Sequence, residues 1–287
     1  MRISFGKRVS QADLLLLGAV PAILPFAVCM VWLTALAFFH PDLDHLYVSG
    51  FTLGNFFDLA TSSYVRSALV NSIEITIEAS IACLVLAYPI SYYIAKLSNR
   101  KSAWVATVVS VFALSFVLKA YCLQILFAYD GPVNRALLFL GILAAHAQFL
   151  GTKGCVAFGC VYASLPQMIL ILVAAFEKIP DTLDEAASTC GAAQLSRLWR
   201  VYIPLSKPGL FTAILFTLPS TSAAFIVPIV LGQGKVPMLA PLIANAAQTG
   251  NWPQAAAISL LLLALNSIFF VGVKTYSNAS LRYLRSA

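Results

Sequence analysis

The sequence predicts an all-α integral membrane protein with six membrane-spanning helices. Of its 287 residues, 60% are hydrophobic and 10% are charged, with a mean hydropathy of +0.87, whereas soluble domains contain about 45–50% apolar and about 25% charged residues. Six continuous apolar stretches also reach the roughly 20 residues that a helix needs to cross a hydrocarbon core of about 30 Å. They lack the alternation typical of barrel strands. The predicted spans are 14–39, 67–95, 103–126, 154–175, 208–231 and 254–276.

The distribution of basic residues predicts the orientation. With the N-terminus inside, 13 of the 18 Lys and Arg residues lie in cytoplasmic segments. The positive-inside rule therefore places both termini in the cytoplasm. This topology accounts for the net charge of +7 without nucleic-acid binding. The basic residues on the outer side are Arg66, Lys119, Arg135, Lys153 and Lys235.

The domain organisation follows from these spans. We expect a cytoplasmic N-terminus at 1–13, one transmembrane domain at 14–276 and a cytoplasmic C-terminus at 277–287, with no soluble domain attached. A cleaved signal peptide is an alternative interpretation of the basic start. However, the first apolar run of about 25 residues exceeds the 7–15 residues of a signal sequence. The cysteines have no metal-ligand spacing and are expected to be free.

The cytoplasmic loop 176–207 is long for a connector between spans. Thr182 followed by Glu185 predicts a capping box that starts a short helix over 183–190, and Gly191 predicts a left-handed cap at its end. A second short helix follows, which Pro204 is expected to end. These features alone leave two alternatives open, a docking element and a helical hairpin that covers the ends of the spans.

A fixed spacing favours the docking element. Glu185-Ala186-Ala187, three residues, Gly191, nine residues and then Val201-x-Ile203-Pro204 resembles the signature loop of ABC importer permeases, Glu-Ala-Ala, three, Gly, nine, Ile-x-Leu-Pro. The replacements by Val and Ile are mild. The resemblance implies a type I ABC importer permease fold in which this loop is a coupling helix. It also implies that Glu185, Ala186, Ala187 and Gly191 dock onto an ATPase.

The same resemblance implies the partners. They are two ATP-binding subunits that hold the ATP and Mg, a second and non-identical permease subunit, and a periplasmic solute-binding protein, all at a bacterial inner membrane. This chain is expected to hold no cofactor, to bind no nucleic acid and to be no enzyme. Its Gly232-Gln-Gly-Lys235 segment lacks the spacing of a phosphate-binding loop.

Several further segments are similar to permeases of the spermidine/putrescine type. They include Leu86-Ala-Tyr-Pro89, Phe225-Ile-Val-Pro228 and Asn251-Trp-Pro253, and the similarity covers roughly 50–275. Polyamines or related amines are therefore the expected solutes. Some polyamine members carry an acidic residue in span five, whereas 219–225 has none here. The alternative is the same machinery for an aminophosphonate, an opine or an amino-acid derivative.

Two carboxylates in span two are candidates for the solute path. Glu74 and Glu78 are spaced i, i+4 and share one helix face. A carboxylate within the membrane costs about 2.5–3.5 kcal/mol on insertion scales, so we expect both to face protein or water. As a hypothesis they line a path for an amine cation. The alternative is that they are protonated or pair with a basic group such as Lys119.

Span five supplies the remaining path candidates. Pro219 and Pro228 are expected to break it, and the hydroxyls of Ser220, Thr221 and Ser222 can satisfy freed backbone groups. Such a break suits a gate or a solute contact, although bent structural helices have the same composition. Tyr121 and Gln124, near the outer end of span three, are further candidates.

Two other classes of function remain open. An ion-coupled secondary carrier would use Glu74 and Glu78 as proton sites and would transport without ATP. A structural subunit of a membrane assembly would have no solute at all. The fixed-gap loop at 185–204 argues against both, because neither needs a helix that docks onto an ATPase.

Overall fold

The computed structural model describes residues 11–40, 50–142 and 145–286. Within these ranges the chain is helical and contains no β-strand. Most of the predicted segment 1–13 lies outside the described residues. The helices are α1 (Gln11–Leu36), α2 (Gly54–Thr61), α3 (Ser63–Tyr92), α4 (Lys101–Ala113), α5 (Phe116–Leu126), α6 (Pro132–Phe139), α7 (Lys153–Glu177), α8 (Asp181–Thr189), α9 (Gln194–Arg197), α10 (Ile203–Ser222), α11 (Ile226–Gly232), α12 (Leu239–Gln248) and α13 (Trp252–Ser286).

Four helical segments in the described part of the chain are long and apolar enough to cross a membrane. They are Ser63–Leu97, Lys153–Glu177, Leu198–Ser222 and Trp252–Ser277. The first comprises α3 and a π-helical continuation at Tyr93–Leu97. The predicted spans two, four and six are thereby confirmed. α1 adds a shorter apolar segment at Ile23–Leu36, and α13 continues as a helix through most of the predicted C-terminal segment.

The predicted span 103–126 is divided into two helices. α4 and α5 meet at an angle of 88°, and together they are long and apolar enough to form a fifth span. Leu114 has extended backbone, and the Ser115 hydroxyl accepts a hydrogen bond of 3.3 Å from the Val117 N–H, which caps α5. The Lys119 ammonium donates a 3.4 Å bond to the Phe112 carbonyl at the end of α4. A cation at a helix C-terminus is favourable there.

Span five is also broken. The sequence predicts a break at each of the two prolines, but the helix is interrupted only once. α10 contains Pro219 and ends at Ser222, and α11 contains Pro228. The three residues 223–225 between them leave the helix. A proline removes one backbone donor without forcing a break when other groups satisfy the freed carbonyl. The interruption therefore lies between the two prolines.

The core lies where α3, α7 and α10 pack against one another, with α11 and α5 at one end. Two glycines of this core lie at close helix contacts. A Cβ atom on Gly209 of α10 would collide with Ala175 of α7, and one on Gly159 of α7 would collide with Leu231 of α11. Small residues at such contacts allow helix backbones to approach in a membrane. The packing fixes how α10 and α11 stand against α7.

Candidate functional site

Helix α8 corresponds to the predicted docking helix but starts earlier than predicted. Its first residue is Asp181, its N-cap residue is Pro180, and no side chain caps it. The predicted capping box of Thr182 and Glu185 is therefore wrong, because Thr182 lies inside the first turn and not at the extended capping position. The acidic residues Asp181 and Asp184 in the first turn complement the positive end of the helix dipole.

The end of α8 agrees with the prediction. Gly191 has φ +78°, the left-handed conformation expected of a helix cap. Its N–H donates a 2.9 Å bond to the Ser188 carbonyl, and the Ala192 N–H donates a 3.1 Å bond to the Ala187 carbonyl. A side chain at Gly191 would meet no atom within 4 Å. Glycine is needed here for its backbone conformation and not for space.

The four predicted docking residues present one accessible surface at this loop. Glu185, Ala186 and Gly191 are exposed, and Ala187 is half-buried. The two alanines extend little beyond the backbone, so another subunit can approach α8 closely. We call these four residues the docking surface.

Two ion pairs fix α8 to the rest of the chain. Lys96, buried at the end of the π-helical segment after α3, donates bonds of 2.7 Å to the Ile179 carbonyl and 2.6 Å to Asp181. Arg197 of α9 donates a 2.8 Å bond to Asp184. The bond from Lys96 and its charge hold the pKa of Asp181 below its usual range. Both pairs tie the first turn of α8 to flanking elements.

The second short helix of the loop does not end at Pro204 as predicted. A π-helical segment, Leu198–Tyr202, joins α9 to α10, and Pro204 lies in the first turn of α10. Proline is well tolerated in the first turn of a helix, because its missing N–H has no partner there. Helical backbone is therefore continuous from Gln194, three residues after Gly191, into the span α10.

A cavity of about 240 Å³ lies at the break between α10 and α11. The hydroxyls of Ser220 and Thr221, two of the predicted path residues, line it. The third, Ser222, is buried elsewhere, where its hydroxyl donates a 2.6 Å hydrogen bond to the amide oxygen of Asn266 of α13 and lies 3.1 Å from the Pro219 carbonyl. The Pro219 carbonyl also accepts a 3.0 Å bond from the Ala223 N–H, so it is not a group freed by a proline, and the prediction that a hydroxyl satisfies such a group stays a prediction. Ser220 and Thr221 are instead available to the cavity.

The sequence interpretation missed several residues around this cavity. Ser164 of α7 is buried, and its hydroxyl lies 3.4 Å from that of Thr221. Phe116 and Phe225 contribute aromatic rings from the ends of the broken spans. A serine within the apolar stretch 154–175 is the one signal that pointed to this place. The two rings could not be found, because their position depends on where the spans break.

Glu74 and Glu78 do not join this cavity. Both are exposed on α3, and Glu74 accepts a 2.6 Å bond from Lys153 at the start of α7. Within the described part of the chain, Glu78 has no hydrogen-bond or ion-pair partner. The suggested pairing with Lys119 is wrong, because Lys119 is buried against the Phe112 carbonyl and the Phe116 ring.

The last two candidates lie at a third place. Tyr121 is exposed on α5, while Gln124 lines an outer cavity of about 610 Å³ together with Gln148 and Gln233. The predicted path residues therefore do not share one cavity within this chain. No group of His, Cys, Asp or Glu side chains that could hold a metal ion occurs among residues 11–40, 50–142 and 145–286.

Comparisons with known proteins define the class. Residues 87–283 match the family of binding-protein-dependent transport system inner membrane components. The chain is 30% identical over 236 residues to the spermidine/putrescine transport system permease protein PotB of Haemophilus influenzae, covering 82% of each. It is 31% identical over 214 residues to PotB of Escherichia coli, covering 74% of this chain and 78% of that one.

The solved structures agree on the fold. The crystal structure of a bacterial ABC transporter that imports the acidic polysaccharide alginate matches with a TM-score of 0.79 at 17% identity, over 95% of this chain and 98% of that one. The chain belongs to the family of binding-protein-dependent transport system inner membrane components. It is an ABC importer permease, a membrane subunit without enzymatic activity, as the signature loop predicted.

Proposed function

We propose that this chain forms one half of the pore of an ATP-driven importer of polyamines or related amines. The observation that carries the proposal is the docking surface, an exposed and capped helix anchored by two ion pairs at one end of the spans. Two ATP-binding subunits, which hold ATP and Mg, would engage the docking residues Glu185, Ala186, Ala187 and Gly191. A capped helix held in this way can transmit a rigid-body displacement.

The proposed assembly includes a second, non-identical permease subunit and a periplasmic solute-binding protein. The chain would cross the inner membrane six times, with α1 as the first span, the bent pair of α4 and α5 as the third, and both termini in the cytoplasm. Nucleotide-driven closure of the ATP-binding subunits would move α8 and open the pore outward in alternating access. The binding protein would deliver the solute to that open state.

The proposed amine substrate draws on two observations. Both PotB proteins named above are spermidine/putrescine permeases by description. In addition, Glu74 and Glu78 lie on the exposed face of α3, and a carboxylate that faced lipid would cost about 2.5–3.5 kcal/mol. This face would therefore adjoin the partner permease and a water-filled path, where Glu78 is free to meet a cation.

A second solute class is favoured by the cavity between α10 and α11. Its described lining consists of hydroxyls, small side chains, aromatic rings and the aliphatic Ile226 and Val227, with no carboxylate. Such a lining suits a zwitterionic or neutral solute, such as an opine or another amino-acid derivative. Uptake of radiolabelled spermidine with excess unlabelled amino acids or 2-aminoethylphosphonate as competitors separates the two classes. Competition by the latter compounds but not by putrescine would overturn the polyamine assignment.

The docking role can be tested with matched glycine variants. Gly191→Pro is incompatible with φ +78° and removes the N–H bonded to Ser188, so the cap of α8 should be lost. Gly250→Pro is the control, because Gly250 has φ +80°, an N–H bonded to Ala247 and equally open surroundings, but follows α12 on the predicted outer side.

The measurement is purification of the chain together with the subunits encoded by its genomic neighbours. The wild type and Gly250→Pro should retain the ATP-binding subunits, and Gly191→Pro should lose them. Retention by Gly191→Pro would show that α8 is not the docking element. If the wild type retains no ATP-binding subunit, the importer assignment of this loop fails, and proton-coupled transport through Glu74 and Glu78 becomes the next test.

A further inference from the structure

A cluster of aromatic rings lies directly behind the docking surface. Tyr92 of α3, Phe176 of α7 and Tyr202 at the start of α10 form a closed triangle of edge-to-face contacts. Their centroids are 4.8 Å apart for Tyr92 and Tyr202, 5.9 Å for Tyr92 and Phe176, and 6.2 Å for Phe176 and Tyr202. We call these three rings the aromatic triangle. Each ring belongs to a different membrane span.

The triangle is buried and tightly constrained. The exposed fractions of Tyr92, Phe176 and Tyr202 are 6%, 0% and 1%. A fourth ring, Tyr88, packs edge-on against Phe176 at 5.2 Å, and its hydroxyl lies 3.0 Å from the Ser206 hydroxyl of α10. Packed interiors transmit strain because they contain few voids. A displacement of one ring must therefore move the other two.

The docking helix is attached to this triangle through its ion pairs. The Asp184 carboxylate, which accepts the bond from Arg197, lies close enough to the Tyr202 hydroxyl for a direct electrostatic interaction. Lys96, which holds Asp181, has its ammonium 5.9 Å from the centre of the Tyr202 ring. Both anchors of α8 thus converge on one side chain.

The backbone around the triangle is unusual as well. Tyr92 immediately precedes the π-helical segment Tyr93–Leu97, and Tyr202 ends the π-helical segment Leu198–Tyr202. π-helical turns are rare and occur frequently at functional sites. Two of them beside the same three rings mark this point as the joint between the loop and the spans.

We infer that Tyr202 is a positioning residue for coupling, and that the aromatic triangle carries the displacement of α8 into α3, α7 and α10 together. This inference rests on the proposed function, because it requires an ATPase that moves α8. The ring of Tyr202 is the essential part, since it makes both edge contacts and keeps the contact with Lys96 when the hydroxyl and its interaction with Asp184 are removed. Loss of the ring should leave docking intact and disconnect the cavity from the nucleotide state.

The test follows labelling of Ser220→Cys in the cavity, which requires no knowledge of the solute. The assembled complex is treated with a maleimide, with and without ATP and orthovanadate, and the parent chain without Ser220→Cys gives the background. In the otherwise unchanged chain, nucleotide should alter the labelling rate by about tenfold, the scale of a typical coupling between distant sites. Tyr202→Leu should abolish this response while the ATP-binding subunits still co-purify, and Tyr202→Phe should preserve it.

Phe127→Leu is the matched control. Phe127 makes edge contacts with Phe149 and Phe158 at 5.8 and 5.4 Å, far from α8, so its loss removes a similar ring cluster elsewhere. This variant should also lose thermal stability and should keep the nucleotide response. A normal response in Tyr202→Leu, or an equal loss in Phe127→Leu, would overturn the inference. The inference is also overturned if the chain with Ser220→Cys alone binds the ATP-binding subunits but its labelling rate does not respond to nucleotide. If that chain binds no ATP-binding subunit, the proposed function is overturned as well.

Discussion

Glu74 and Lys153 form an ion pair of 2.6 Å that joins α3 to α7 at the predicted outer side of the membrane. The pair neutralises one of the two carboxylates that share a face of α3. Glu78, one helical turn further along, has no such partner among the described residues. The two glutamates, which are alike in the sequence, therefore differ in what they can bind.

We expect Glu78→Gln to raise the spermidine concentration for half-maximal uptake by about tenfold or more. A hydrogen bond to a charged group contributes about 1.5–3 kcal/mol, and about 1.4 kcal/mol corresponds to a factor of ten. Glu74→Gln should also impair uptake, because it releases Lys153, which can then pair with Glu78 one helical turn away from Glu74. The double variant Glu74→Gln with Lys153→Met should then recover. Uptake by Glu78→Gln at the wild-type level would remove Glu78 from the path.

The contact between Gly209 and Ala175 predicts a packing defect. Gly209→Ala places a methyl group where the Ala175 methyl group of α7 leaves no room, and overpacking of this kind costs about 1–3 kcal/mol. Gly272→Ala in α13 is the control, since a Cβ atom there meets nothing within 4 Å. Thermal unfolding in detergent should show a lower midpoint for Gly209→Ala and an unchanged or higher one for Gly272→Ala. Equal midpoints would mean that α10 can move away from α7 without cost.

The 2.6 Å bond between Ser222 and Asn266 predicts a modest stabilisation between α10 and α13. Polar pairs between membrane helices contribute about 0.6 kcal/mol on average. Asn266→Leu and Ser222→Ala should each lower the unfolding midpoint, and the double variant should cost less than the sum of the two. Thr212→Val, which removes only a 2.8 Å bond to Pro208 in the same helix, is the control. Strict additivity of the two single variants would argue against the bond.

The lowered pKa of Asp181 predicts a pH-dependent stability. Because the pKa is lower in the folded than in the unfolded chain, the ionised carboxylate stabilises the fold above its ordinary pKa of 3.8. This contribution is lost as the pH falls through the lowered value. The unfolding midpoint of the wild type should therefore exceed that of Asp181→Asn at pH 7, and the two should converge below pH 3.8. In a Lys96→Met background the difference should be much smaller, because only the helix dipole and Lys101 then favour the ionised carboxylate, and a difference of unchanged size would contradict the pairing.

The continuous apolar stretches predicted three spans nearly in full. The interval 154–175 became Lys153–Glu177, because a long run of apolar residues buried against other helices has no competing structure in a membrane. The interval 103–126 is also predominantly apolar, but the bend inside it was not predicted. It contains neither Pro nor Gly, and its break at Leu114 is set by the Ser115 cap and by the charge of Lys119 at the end of α4.

The site was predictable only where its residues are neighbours in sequence. The left-handed cap at Gly191 follows from local helix chemistry, and the structure confirms it. By contrast, the pairing of Lys96 with Asp181 joins residues 85 positions apart, and that of Glu74 with Lys153 joins residues 79 apart. No periodicity or spacing encodes such contacts, because they depend on how the spans pack.

The π-helical segment Leu198–Tyr202 makes the orientation of the loop 176–207 sensitive to chain length. Each residue of an α-helix advances the chain by about 100° around the axis. Deleting a single residue from this segment would allow it to relax into an ordinary α-helix, and everything before it would turn by about that angle relative to α10. Glu185 and its neighbours would then face a different direction from the same membrane span. The direction that the loop faces is thus set by the one extra residue of the π-helical segment.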